Sequence, residues 1–428
     1  MAGAVTSVSP SAWVAPDGRG GGQRSAPSRR GRPARDPAGG PDRPATVGWP
    51  DGRAGGGVLV AEPELRTSPL HAEHERLGAR FAPFGGWSMP LEYTGAGVLA
   101  EHTAVRTQVG VFDVSHLGKV RVRGSGAVAL LDRCLTNDLG RIGAGQAQYT
   151  LLCTEDGGVV DDLIVYRHGD DDLLLVPNAA NTAAVVQVLR GSAAGGAVEV
   201  VDQHTDLAVL AVQGTRSDEV LSTAGLPVGH DYMSFVPAEL EGVGLTVCRT
   251  GYTGERGYEL VVPARDAVAV WQRLREAGEP YGLQPAGLAA RDTLRTEMGY
   301  PLHGHELGPE ITPVQAGLGW AVGWDKPEFL GHRALREEKE RGPARRLRGL
   351  LARGRGIPRP GMRVLADGRD VGEVTSGTFS PTLKSGIALA LLDPAVTPDT
   401  EVEVQVRRRS EPFVVVKPPF VRPSTREH

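Results

Sequence analysis

Cysteine, lysine and aromatic side chains are all scarce in this sequence. Its three cysteines, Cys134, Cys153 and Cys248, stand far apart and form no CxxC pair, which argues against a zinc knuckle or a disulfide framework and suggests a reducing compartment. Only five of the 47 basic residues are lysines. With the abundance of Ala, Gly and Pro, that asymmetry reads as genomic composition bias. The net charge is −4, so the overall balance gives no reason to expect nucleic acid as a partner. No apolar run approaches the length that crosses a bilayer, and no apolar core near the start marks a secretory signal. These absences predict a cytoplasmic protein with neither membrane nor nucleic acid as partner.

The length, 428 residues, exceeds one ordinary core and predicts two or three packed units. Residues 1–66 read as a disordered extension, or as sequence upstream of the true start. Gly and Pro make up about a third of them, nine arginines are scattered through them, and bulky apolar residues are few. From Ser68 the pattern becomes that of a folded protein, with Ser68 as a cap and Pro69 in the first helical turn. Helices are expected over 98–109 and 126–135, strands over 118–123, 173–177 and 207–213, and a hairpin over 148–167 around Gly157-Gly158. This mixture is α+β. A charged linker, 333–343, separates a region at 67–332 from a last unit at 345–424, where five short strands predict a small all-β barrel.

Inside that hairpin two carboxylates, Asp161 and Asp162, interrupt an apolar run. Side chains alternate along a strand, so the two face opposite sides and at most one easily serves a single cavity. Either both cap loops or sit at a sheet edge, or one faces an apolar pocket where desolvation raises its pKa and makes it a proton acceptor or orienting group. A glycine-rich turn, Thr250 to Gly257, leads into a strand on which Glu259 shares a face with Val261. There Glu259 is an edge residue or a two-oxygen acceptor for a flat heterocycle. The stretch Leu288 to Glu297 reads as a helix with Arg291 and Arg295 on one face. These arginines either pair with Asp292 and Glu297 or meet a ligand anion or carbonyl. Gly124-Ser125-Gly126-Ala127-Val128-Ala129 fits G-x-G-x-x-A after a strand, but no βαβαβ pattern follows, so no dinucleotide site is assigned. His303-Gly304-His305-Glu306 lacks further ligands nearby and reads as a polar loop.

Taken in order, these motifs resemble the aminomethyltransferase (T-protein) family of the glycine cleavage system. The resemblance rests on Phe84-Gly85-Gly86-Trp87-Ser88-Met89-Pro90-Leu91, Glu101-His102, Val111-Phe112-Asp113-Val114-Ser115-His116, Thr136-Asn137-Asp138, the Asp161 stretch, Val212-Gln213-Gly214, the Gly251 turn and the Arg291 helix. Thr375-Ser376-Gly377-Thr378-Phe379-Ser380-Pro381 and Lys417-Pro418-Pro419-Phe420-Val421 complete it, and it covers residues 68 to the end. It implies a three-domain, cloverleaf-like arrangement, with two interleaved α+β domains before the barrel and tetrahydrofolate in a central channel. It also implies transfer of a one-carbon unit from the aminomethyl-lipoyl arm of H-protein to tetrahydrofolate, with release of ammonia and without a metal. By the same resemblance Asp161 is the essential aspartate, Glu259 binds the pterin, Arg291 binds ligand, and Tyr149, Asn178, Tyr252 and Trp320 line the folate channel. Leu117 departs from the methionine of many relatives, a tolerable apolar exchange. Two alternatives share the fold: a folate-dependent demethylase of a small methylated substrate, and a folate-binding accessory protein for iron–sulfur maintenance. The second carries a Lys-Gly-Cys-Tyr-type motif that this sequence lacks.

Overall fold

The computed structural model describes residues 64–193, 197–406 and 409–426. The reading of the extension therefore falls almost wholly outside the described residues. At its end, Arg66 and Thr67 pair in parallel with Trp87 and Ser88. Ser68 Oγ accepts the Leu70 amide at 3.1 Å and donates to Asp113; the expected Ser68 cap falls in the turn before the His71–Arg76 helix, whose own N-cap, Leu70, makes no side-chain cap bond.

A six-stranded sheet and a five-stranded sheet carry the larger part of the fold. The chain enters the first at Gly110–Asp113, builds the whole of the second between Val120 and Asp202, and returns to the first at Leu207–Gln213. In the first sheet Ala208, Leu210, Val212, Tyr258, Leu260 and Val262 pack in a core with Val270, Trp271 and Leu274. These last three recur at helical spacing on the Ala267–Gly278 helix. In the second, Leu163 and Val165 pack with Leu130, Val185 and Leu189 from two helices. The alternate residues of both sheets, Val209, Ala211, Val261, Tyr166 and Leu174, meet one another in a third core with Ala290 and Leu294. Each sheet is thus apolar on both faces, which is why strands such as Leu207–Gln213 read as continuous apolar runs rather than alternating ones.

Gly124 serves packing: its φ is +121°, and a Cβ there would lie 2.0 Å from the Ala197 carbonyl. The strand after which it stands pairs antiparallel on both sides, unlike a dinucleotide-binding sheet. The expected charged linker proves to be a helix, His332–Arg341. It buries Leu335 and Glu338, and Glu338 accepts hydrogen bonds from Thr312 and Gln315. Its charged residues are good helix formers, so the scarcity of apolar positions concealed it. Six strands, not five, close the C-terminal barrel. The sixth, Arg409–Val416, pairs with both Arg346–Ala352 and Glu401–Val406. No helix among the described residues is long and apolar enough to cross a membrane.

The Leu288–Met298 helix joins the barrel to the sheets. Glu297 accepts hydrogen bonds from His102 Nε2 at 2.9 Å, Arg106 Nη2 at 2.7 Å and Ser380 of the barrel at 2.5 Å. Arg295 donates to Ser376 of the same barrel strand at 2.7 Å and pairs with Glu306 at 3.0 Å. Burial works against the ionised form of Glu297, but the His102 bond and charge, the Arg106 charge and the Ser380 bond outweigh it and hold the carboxyl at about 2.

Unfolded, Glu297 takes up its proton near 4.5, the ordinary value. Its stabilising effect is therefore complete above that pH and is lost as the pH falls through about 2. Acid unfolding followed by circular dichroism should show this loss, and Glu297→Gln should flatten it; an unchanged acid slope contradicts the assignment. Glu297→Ala should cost about 3–5 kcal/mol in urea unfolding, because it leaves buried partners uncompensated.

Candidate active site

The core shared by the two sheets lies beside several of the expected site residues. On the Val159–Arg167 strand Asp162 has the parity of Ile164 and Tyr166, which belong to that shared core. Asp161 has the parity of Leu163 and Val165, which pack against helices. Asp161 is fully buried. Its oxygens accept the Asn178 amide N–H at 2.9 Å, Asn178 Nδ2 at 2.9 Å and Asn181 Nδ2 at 2.7 Å. Asp162 is only partly buried. It accepts Asn178 Nδ2 on Oδ1 at 2.9 Å and the Tyr149 hydroxyl on Oδ2 at 3.0 Å.

The oxygens of Asp161, the aspartate that the resemblance implies is essential, are spent on the start of the following helical segment, and the carboxylate on the side of the shared core is Asp162. The expectation that alternation separates the pair holds for the cores they join. A single amide at the strand end nevertheless reaches both. Burial raises the pKa of each carboxyl, and the charge of Asp162 raises that of Asp161 further, so the doublet holds a proton at higher pH than a lone carboxyl.

The remaining expected residues converge on Asp162. Tyr149 stacks on Trp320, with ring centroids 5.4 Å apart and planes 27° apart. Trp320 is 63% exposed and so forms a rim rather than an inner lining. Tyr252 donates its hydroxyl to the Pro301 carbonyl, and its ring carries the Arg291 guanidinium 4.9 Å from the centroid. Arg291 Nη1 is buried without a hydrogen-bond partner. Burial lowers its pKa while the charge of Glu259 opposes that shift, which puts the two within electrostatic reach.

Glu259 is buried opposite Ala211 and Cys248 on the face of the shared core. Thr250 Oγ1 donates to its Oε2 at 2.6 Å, which orients the carboxylate and leaves Oε1 for a donor. The glycine-rich turn is clamped by Gln213, whose Nε2 donates to the Thr250 and Tyr258 carbonyls. A Cβ at Gly251 would lie 2.1 Å from Gln213 Oε1, so glycine is required there by close approach.

Asp162 and Glu259 thus lie on strand faces turned to the shared core, with Tyr149, Trp320, Tyr252 and the unpaired Arg291 guanidinium nitrogen linked by contacts beside them. Such a set of groups can stack a flat heterocycle, accept its N–H groups at Glu259, hold an anion or carbonyl at Arg291, and exchange a proton at Asp162. Sequence reasoning passed over His303, read with its loop, although its ring lies 3.2 Å from the Val159 carbonyl on the strand that carries Asp162. The signal was the imidazole itself, close to the Arg291 helix in sequence. Glu306 and His305 of that loop bond to Arg295 and to the Thr375 carbonyl. Among the described residues no group of three or more His, Cys, Asp or Glu side chains is placed to hold a metal.

Comparisons with known proteins agree along nearly the whole described chain. The family described as "GCVT N-terminal domain" matches residues 70–326, and that described as "Glycine cleavage T-protein C-terminal barrel domain" matches residues 345–422. An aminomethyltransferase of Parafrankia sp. (strain EAN1pec) is 60% identical over 85% of this chain and 100% of its own length. One of Mycobacterium tuberculosis (strain ATCC 25618 / H37Rv) is 56% identical over 85% and 99%. The crystal structure of the glycine cleavage system aminomethyltransferase T from Bartonella henselae superposes with a TM-score of 0.80 at 36% identity, covering 84% of this chain and 99% of that one.

Asn178→Ala removes the donor common to both carboxylates and should lower the unfolding free energy by about 1–3 kcal/mol. Urea titration measures this, and an unchanged midpoint contradicts the bridging role.

Proposed function

The chain belongs to the glycine cleavage T-protein family, and on that premise we propose that the space between the two sheets is where tetrahydrofolate receives its one-carbon unit, with Asp162 at the reacting end. The protein is a folate-dependent aminomethyltransferase. It moves the one-carbon unit of an aminomethyl-lipoyl arm onto tetrahydrofolate, giving 5,10-methylene-tetrahydrofolate, ammonia and the reduced arm. The observation that carries the site assignment is that Asp162, and not Asp161, faces the same core as Glu259.

In this reading Glu259, oriented by Thr250, accepts N–H bonds from the pterin. Tyr149 and Tyr252 offer ring faces to the flat parts of folate. Arg291 directs its unpartnered Nη1 at a folate carbonyl or carboxylate. Trp320 stands at the rim, where the lipoyl arm of H-protein, the protein partner in this reading, enters. Asn178 holds Asp162 in place, and Tyr149 donates to the oxygen opposite, so the carboxyl group keeps one orientation as it exchanges a proton with folate nitrogen. Asp161 serves as an anchor for Asn178 and Asn181. The cysteines, free and buried, fit a reducing cytosol. The demethylase and accessory-protein alternatives are not favoured, since relatives 55–60% identical are named aminomethyltransferases.

A reconstituted assay with lipoylated H-protein and tetrahydrofolate tests the assignment by measuring ammonia release. Asp162→Asn should lower kcat by roughly 10²–10⁴-fold, with folate affinity kept. Asp161→Asn should lower the unfolding midpoint and reduce kcat less; the reverse ranking returns the catalytic role to Asp161. Glu259→Ala should raise the folate dissociation constant by about ten- to a hundredfold, the range for a hydrogen bond to a charged group. An unchanged constant by calorimetry removes Glu259 from the pocket.

A further inference from the structure

A hydroxyl stands in the core common to both sheets where packing asks for none. Tyr166 is buried among Ala147, Leu174, Phe235, Cys248 and Val261, and its ring meets Phe235 edge-on with centroids 5.6 Å apart. Phenylalanine would fill the same space. Burying a hydroxyl without a partner costs free energy, and this one finds its partner across the core. Its oxygen lies 3.1 Å from Thr250 Oγ1, in the glycine-rich turn that leads to Glu259.

The direction of that bond follows from the next one. Thr250 Oγ1 donates to Glu259 Oε2 at 2.6 Å, and a hydroxyl has one hydrogen to give. Tyr166 is therefore the donor and Thr250 the acceptor. Burial holds the Tyr166 phenol well above its ordinary range, so its hydrogen stays in place. The result is a one-way chain, Tyr166 to Thr250 to Glu259, that ends on a carboxylate oxygen.

The middle link has little freedom. The Thr250 carbonyl accepts from Gln213 Nε2 at 3.2 Å, and Gln213 Oε1 accepts from Thr253 at 2.8 Å. The clamped backbone places Oγ1 and leaves only the aim of its hydrogen to be chosen. Aimed at the phenol, that hydrogen would give Glu259 nothing; with the phenol donating, it points at Oε2. Oε1 then stays open as an acceptor, which suits ligand N–H groups and not ligand lone pairs.

Tyr166 also stands four residues after Asp162 on the Val159–Arg167 strand, with the same parity, about 13 Å further along at the rise of a strand. Glu259 belongs to the other sheet. The hydroxyl chain thus crosses from the strand of the reacting end to the carboxylate that faces it from the neighbouring sheet.

We propose that Tyr166 is a positioning residue for folate: through Thr250 it fixes Glu259 as an acceptor for pterin N–H groups and sets that acceptor relative to the strand carrying Asp162. The inference rests on the reading of Glu259 as the pterin acceptor.

The test is calorimetry of tetrahydrofolate binding to the full chain in wild type, Tyr166→Phe, Glu259→Ala and the double variant. Tyr166→Phe keeps the ring and should raise the dissociation constant about three- to tenfold, the range of one neutral hydrogen bond. In the Glu259→Ala background the same change should have no further effect, because Tyr166 acts through that carboxylate. Thr250→Val should weaken binding at least as much as Tyr166→Phe, and Thr250→Ser should recover most of that loss, a comparison that stands even if Tyr166→Phe folds poorly. An unchanged constant in Tyr166→Phe, or an equal loss in both backgrounds, overturns the role of Tyr166. An unchanged constant in Glu259→Ala would instead overturn the reading of Glu259, so the two failures are distinguishable.

Discussion

One carboxamide holds two carboxylates that would otherwise repel each other inside the protein. Ile164 pairs with Val176 across adjacent strands, so Asn178 lies two residues past the last pair, alongside Asp162. From there its Nδ2 reaches oxygens of both aspartates. Burying an ionised carboxylate without donors is costly; here five donated hydrogen bonds, from Asn178, Asn181 and Tyr149, offset that cost for the pair. The arrangement separates the duties of the two groups. Asp161 fastens the strand to the helical segment behind it, and Asp162 is left with an orientation set from two sides.

The second constraint is the Leu288–Met298 helix. Ala290 and Leu294 fill the core common to both sheets. Arg291 turns its guanidinium onto Tyr252, and Arg295 with Glu297 fastens the helix to Ser376 and Ser380 of the barrel. Through this one element, the barrel position, the ion pairs around Arg106 and the arginine proposed to meet the ligand are coupled mechanically. The barrel thus bears on the site through a helix rather than by supplying the reacting group.

Much of this was legible before any coordinates. The order of motifs implied the fold and the activity, and the alternation on Gly257–Pro263 placed Glu259 beside Val261, where it is found. Alternation failed to choose between Asp161 and Asp162 because both faces of that strand are buried: Leu163 and Val165 look as apolar as Ile164 and Tyr166. Which face meets helices and which meets the other sheet is a tertiary fact, and it is the ground on which Asp162 rather than Asp161 is proposed at the reacting end. The Arg346–Ala352 strand needs a sixth partner to close the barrel, yet Arg409–Val416 begins with polar residues and contains Pro412, signals that hide a strand. The place of His303 was hidden for a similar reason, since its contact joins residues 144 positions apart.

The central claim is that Asp162 meets the folate while Asp161 stays sealed. Carboxyl-carbon NMR of selectively labelled protein, titrated with tetrahydrofolate, tests it directly. The Asp162 resonance should move on binding and change its titration with pH, while that of Asp161 should stay nearly fixed. A large shift at Asp161 with none at Asp162 would contradict the account.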